Sequence, residues 1–154
     1  MIYIFGYGSL INIKTIAELD KTQKRTTCPV NISNLQRSWC VHGKSQTYLG
    51  IKDTCKFSCN GLLLSVSPTE LYDLCNREEF YTLKEIDKSR IKFVYGKTIN
   101  LDNDKIYSFY SITTNEPDET HPILNKYLYK CLIGCMQISK HFYNVFLQTT
   151  YRYK

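Results

Sequence analysis

Apolar residues alternate with others at Ile2 and Ile4, and the run then gives way to Gly6-Tyr7-Gly8-Ser9, a pattern that predicts a first strand ending in a turn. Asn12 is placed to cap a short helix carrying Ile13, Ile16, Ala17 and Leu19, terminated near positions 20–22. Residues 29–42 alternate in places, through Val30, Ile32 and Leu35, and residues 47–52 repeat the habit after Gly43, so both segments are expected to be strands. Residues 61–67, GLLLSVS, form an apolar run too short for a helix and bounded by Asn60-Gly61 and Pro68, which predicts a buried strand.

Ser67-Pro68-Thr69-Glu70 combines a capping box with proline at the first helical position, where its missing N–H costs nothing. It is the best-marked boundary in the chain. Residues 81–86, 91–99 and 105–114 are rich in β-branched and aromatic side chains and are separated by polar turns, as three further strands would be. From Pro122 the spacing changes to Ile123, Leu124, Tyr127, Leu128, Cys131, Leu132, Cys135 and Met136, an amphipathic helix of about four turns. The tail from Tyr143 is expected to add one helical turn or an edge strand.

About six strands in uneven groups, interrupted by three helices, do not make the regular alternation of a doubly wound sheet. The expected class is α+β: a small mixed β-barrel with peripheral helices, in one domain spanning residues 1–154.

Composition narrows the function more than the fold. No run approaches the ~20 apolar residues of a bilayer span, and the first 25 positions lack the features of a secretory signal, so a cytoplasmic protein without membrane contact is expected. The seven cysteines are then read as reduced thiols, with Cys75, Cys131 and Cys135 as small hydrophobes within helical patterns. Cys55-x-x-x-Cys59 has no second pair or nearby histidine in sequence to complete a zinc set, so no metal site is assigned. The formal charge of +6 is scattered apart from a short cluster at positions 21–25, which argues against a nucleic-acid partner.

One charge stands where the pattern predicts an apolar residue. On a helix from Pro68, at about 100° per residue, Leu71, Leu74 and Cys75 define the apolar face and Glu78 falls near its middle, with Glu79 at the edge and Glu70 and Arg77 off it. A carboxyl group in apolar surroundings has a raised pKa suited to general acid–base work. The competing reading ends the helix near Arg77 and leaves Glu78 in water or paired with a lysine.

Gly6-Tyr7-Gly8 is neither a dinucleotide fingerprint, since position 11 is Ile11, nor a phosphate-binding P-loop. It can be a plain turn, or a nest of amides that holds one small anion.

Phe5-Gly6-Tyr7-Gly8-Ser9-Leu10-Ile11-Asn12, Leu35-x-Arg37-x-Trp39, Leu74-Cys75-Asn76-Arg77-Glu78 followed by Tyr81, and His121-Pro122-Ile123 to Tyr127 with Gly134-Cys135 together resemble the γ-glutamylcyclotransferase-like family in order and approximate spacing. The resemblance implies a small mixed barrel whose pocket holds a γ-glutamyl substrate, and an enzyme that cyclises it to 5-oxoproline without a cofactor. It carries the catalytic glutamate to Glu78, and substrate binding to the backbone of Tyr7, Gly8, Ser9 and Leu10 and to the side chains of Tyr81 and Tyr127. Arg37 is left between a substrate carboxylate and a structural pairing, with the structural role favoured. Cys75 stands where the family more often shows an acid. The leaving group and the oligomeric state are not predicted, and a pocket that binds without turnover is the alternative.

Overall fold

The computed structural model describes residues 1–19 and 25–151. The end of the first helix at positions 20–22 and most of the basic cluster therefore lie outside the described residues.

Strand β1 (Ile2–Gly6) is central, and it is apolar on both faces because it is covered on both. Tyr3 and Phe5 point into the larger core, while Ile4 points into a smaller cluster with Leu64, Val66, Leu74 and Phe109. β1 pairs antiparallel with β3 (Thr47–Val66) and parallel with β6 (Lys105–Ser111). β2 (Thr27–His42) lies beyond β3, and β4 (Tyr81–Ile86) beyond β6, both antiparallel. Two-residue strands β5 (Ile91–Lys92) and β7 (Thr150–Tyr151) also pair with β2. The result is a mixed sheet in the order β4-β6-β1-β3-β2-β5, curled into a half-barrel, as the α+β expectation required.

Helix α1 (Ile13–Ala17) follows the first turn, and the Asn12 side chain caps it by accepting from the Lys14 amide at 2.9 Å. α2 (Pro68–Arg77) covers the smaller cluster with Leu74, and its predicted capping box is complete: the Glu70 amide donates to Ser67 Oγ, 3.1 Å, and the Ser67 amide to Glu70 Oε1, 3.0 Å. α3 (Asn125–Ile138) and α4 (Lys140–Thr149) close the larger core with Cys131, Cys135, Phe142 and Phe146. Among the described residues no helix is long and apolar enough to cross a membrane.

Several expectations need correction. The segments at 47–52 and 61–67 are the two ends of one 20-residue strand, whose exposed middle hid their continuity. There the ladder with β2 shifts register between Ser33 and Leu35, and Asn34 and Lys56 take positive φ of 58° and 69°. Of the strand expected at 91–99 only Ile91–Lys92 forms, because the chain leaves the sheet and turns at Gly96, φ 82°. Phe93, Tyr95 and Ile99 still pack on the core, which explains their strand-like composition.

The helix expected from Pro122 begins at Asn125, since the Pro122 carbonyl is used by the Thr47 amide at 2.9 Å. The tail holds a ten-residue helix, capped by Ser139 Oγ accepting from the Phe142 amide at 3.0 Å. The described residues thus form four α-helices where three were expected. Cys75 is exposed where burial was expected, and the other exposed thiol is Cys55. Helix α2 is simply short: only Leu74 and Glu70 on it are buried.

Candidate active site

After Gly6 the chain folds back so tightly that a β-carbon there would lie 2.7 Å from Leu10 Cβ, which is why the strand ends in glycine. Ser9–Ile11 form one 3-10 turn, in which the Ile11 amide donates to the Gly8 carbonyl and the Asn12 amide to the Ser9 carbonyl, each at 3.0 Å. The amides of Tyr7, Gly8, Ser9 and Leu10 donate to no described residue, as expected for groups that precede and begin a helical turn. Helix α3 holds the turn from behind. Asn12 Nδ2 donates to the Lys130 carbonyl at 2.8 Å, and Gly134 packs so closely that a β-carbon on it would lie 2.7 Å from the Asn12 nitrogen.

Arg37, on β2, holds the turn from below. Its side chain is fully buried and meets only neutral acceptors: the Tyr7 carbonyl at 3.3 Å, the Asn60 carbonyl, Asn60 Oδ1 at 2.8 Å, the Phe146 carbonyl at 3.3 Å, Thr149 Oγ1 at 2.9 Å and Thr150 Oγ1 at 2.9 Å. The guanidinium also stacks 4.0 Å from the Phe146 ring centroid. With no path to a ligand, it has the structural placement that the sequence reading favoured.

Glu78 follows the last helical residue of α2, so that helix ends where the competing reading ended it. Its amide still closes the helix on the Leu74 carbonyl at 3.1 Å, and its own carbonyl accepts from the Tyr81 amide at 3.2 Å. The side chain nevertheless stays half-buried, and its carboxylate accepts no hydrogen bond from a described residue. Burial pushes its pKa above the ordinary glutamate value, and neighbouring Arg77 opposes the shift. The most buried charge on α2 is instead Glu70, which the helical wheel put off the apolar face; it is neutralised by Arg25, with Nη2 to Oε2 at 2.5 Å.

Three tyrosines surround this carboxylate. The Tyr7 hydroxyl donates to the Phe109 carbonyl at 2.6 Å and that of Tyr81 to the Leu49 carbonyl at 2.8 Å. Tyr127, from α3, packs edge-on against Trp39 and Tyr48 with its hydroxyl over Gly8. Burial raises all three phenol pKa values, and the charge of Glu78 adds to the rise in each.

The turn from Gly6 to Leu10, Glu78, Tyr81 and Tyr127 line one cavity of about 400 Å³, so every site residue expected from the sequence meets there. Phe5, Leu49, Phe80 and Phe109 supply apolar wall, and Lys44, Ser45, Tyr48, Arg77 and Glu79 complete the lining. Sequence reasoning missed the contribution of the β2–β3 hairpin, since nothing local in Lys44-Ser45 marks it; the one signal was Gly43, which ends the alternating run. Asn60, which holds Arg37 and donates from Nδ2 to the Phe142 carbonyl at 2.9 Å, carried no signal at all.

Away from the cavity, His42, Asp118 and His121 bring three potential metal-ligand atoms within 4.8 Å of one another. The imidazoles are stacked, with centroids 4.1 Å apart and planes at 10°, so their in-plane lone pairs run parallel and do not converge on one ion. Asp118 Oδ1 accepts from the amides of Thr120, 3.0 Å, and His121, 2.7 Å, and the cluster reads as a clasp fastening this loop to the end of β2.

Among solved structures, the chain is similar to a γ-glutamyl cyclotransferase with a TM-score of 0.72 at 13% identity, over 99% of this chain and 90% of the other. A γ-glutamyl cyclotransferase specific to glutathione from yeast superposes with a TM-score of 0.58 at 14% identity, over 96% and 94% of the two chains. YkqA from Bacillus subtilis gives a TM-score of 0.70 at 15% identity, over 96% of this chain and 53% of that one. No protein-family model and no curated protein sequence matches. At these identities the likeness shows the fold, and the fold is the one that the sequence resemblance implied.

Proposed function

We propose that the protein is a cofactor-independent γ-glutamyl cyclotransferase of the cytoplasm, which converts a small γ-glutamyl compound to 5-oxoproline and a free amine or amino acid. The observation that carries this reading is the pairing, in one cavity, of a half-buried carboxylate and a turn of four amides, none of which has a hydrogen-bond partner among the described residues.

The chemistry asks little else of an enzyme. The substrate's α-ammonium gives a proton to the Glu78 carboxylate, and the freed amine attacks the γ-carbonyl carbon of the same molecule. An N–C bond closes the five-membered ring. The substrate's own carboxylate, or the oxyanion formed on the former carbonyl, is held by amides of the Tyr7 to Leu10 turn, each good donor contributing roughly 3 kcal/mol in comparable sites. Glu78, now protonated, returns the proton to the leaving nitrogen as its bond to carbon breaks, and then passes the second proton of the ring nitrogen to the departing amine, which leaves as an ammonium. Because the nucleophile belongs to the substrate, no serine or cysteine attack is needed, and the enzyme's main contribution is to hold a folded conformer in reach of one base. Tyr81 and Tyr127 shape the walls, and the raised pKa of Glu78 suits a group that must both take and return a proton near neutrality.

The test is a panel of γ-glutamyl amino acids, peptides and amines, with 5-oxoproline followed for the wild type and Glu78→Gln. Release from at least one substrate, abolished in the variant, is the expected result. Binding without release on every substrate would instead assign a non-catalytic pocket.

A further inference from the structure

A fully buried guanidinium with no carboxylate beside it is costly, because its desolvation is ordinarily offset by a partner anion. Among the described residues Arg37 has no such partner. The titratable groups that face it are Cys59, Cys131, Cys135 and Tyr95, all held neutral by burial, which pushes Cys59 to about 11 and Cys131 to about 12. The carbonyl of Phe146 in the last turn of α4 offers only the partial negative charge of a helix end. No described residue thus offers the cation a full counter-charge, and its Nη1 donates to the Tyr7 carbonyl.

That oxygen belongs to the same planar, conjugated unit as the Gly8 N–H. Donation to the oxygen polarises the unit and strengthens the amide as a donor. The Gly8 amide donates to no described residue, and Gly8 lines the cavity.

We propose that Arg37 is an electrostatic positioning residue for an anion held on the Tyr7 to Leu10 turn, its charge reaching the cavity through the Tyr7–Gly8 peptide. This rests on the proposed function, which puts a carboxylate or oxyanion there. It also separates Arg37 from Lys44 and Arg77, the cations that line the same cavity: both are exposed and screened by salt, whereas a buried charge is screened far less.

The experiment compares binding of 5-oxoproline, a carboxylate, with that of its neutral carboxamide by titration calorimetry. The wild type is expected to prefer the carboxylate, and to keep that preference at about 0.5 M salt, where the screening length is only a few Å. The exposed double variant Lys44→Gln/Arg77→Gln is expected to keep it as well. Arg37→Met should lower carboxylate affinity about tenfold and carboxamide affinity less than about twofold, with Arg37→Lys restoring most of the loss. Equal weakening of both ligands in a folded Arg37→Met would reduce the residue to a brace and overturn the inference. So would a preference that vanishes in high salt or in the double variant, a result that stands even if Arg37→Met fails to fold. A wild type that binds neither ligand would remove the functional reading itself, whereas binding of both with no preference would remove this inference alone.

Discussion

The Tyr127 hydroxyl stands over the backbone of Gly8, so near that a β-carbon at position 8 would lie 2.9 Å from it. The two residues are more than a hundred positions apart in the chain, and both line the cavity. A methyl group at position 8 must displace the phenol or tilt the turn. Gly8→Ala is therefore expected to reduce 5-oxoproline release at least about tenfold with little change in thermal midpoint. Tyr127→Phe removes the oxygen the methyl would strike, so the double variant should recover part of the loss; additive losses in the cycle would rule out this contact as the cause.

Glu78→Gln should lower 5-oxoproline release by at least about 10²-fold, the usual scale for a lost general acid–base group. Since burial raises the glutamate pKa, the acidic limb of the wild-type kcat/KM profile should lie above the ordinary carboxylate range. The same shift has a stability sign. A carboxyl whose folded pKa exceeds its unfolded value favours folding below the unfolded pKa and loses that contribution as pH rises through the folded one. Glu78→Gln should accordingly melt above the wild type at neutral pH, with the gap closing near pH ~4, where the carboxyl is protonated in both states. Differential scanning calorimetry across that interval checks it.

Two of the cavity tyrosines, Tyr7 and Tyr127, should separate in their effects. Tyr7→Phe orphans the buried Phe109 carbonyl, at a cost of about 1–3 kcal/mol in chemical unfolding. Tyr127, whose hydroxyl donates to no backbone carbonyl among the described residues, should lose less stability and more activity when changed to phenylalanine. The reverse ordering would relocate the functional hydroxyl.

Arg25 and Glu70 form a buried ion pair that ties β2's approach to the start of α2. Glu70→Ala removes both the acid of this pair and the acceptor of the Ser67 amide in the capping box, so it should cost about 3–5 kcal/mol in chemical unfolding. Glu79→Ala, at an exposed position two residues beyond the end of α2, should stay within about 0.5 kcal/mol.

The strands and helices with local punctuation were legible: β1 by its glycines, α2 by its capping box, β4 by its aromatic and β-branched content. What was lost was decided at long range. The middle of β3 is exposed, so no apolar pattern runs through it, and its continuity comes from pairing with β2. Phe93 to Ile99 carries strand-like side chains because it packs on the core, although its backbone leaves the sheet. The site was legible to the extent that Glu78 and the glycine turn carry chemistry in their own sequence. Even there the wheel singled out Glu78 by extending a helix that stops at Arg77; burial of Glu78 comes from the walls of the cavity, not from a helix face. The hairpin residues and Asn60 were invisible because their roles exist only through contacts with distant strands and helices.

Gly134 has no reactive group, lies outside the cavity, and sits in mid-helix, where glycine is ordinarily a poor choice. Its bare α-carbon lets α3 rest directly on the Asn12 backbone, and α3 in turn delivers Tyr127 to the cavity. A larger residue at 134 would lift the helix and its phenol together. In an unbiased mutational screen this position would therefore register beside those that line the cavity, as a spacing element whose tolerance is measured in tenths of an ångström.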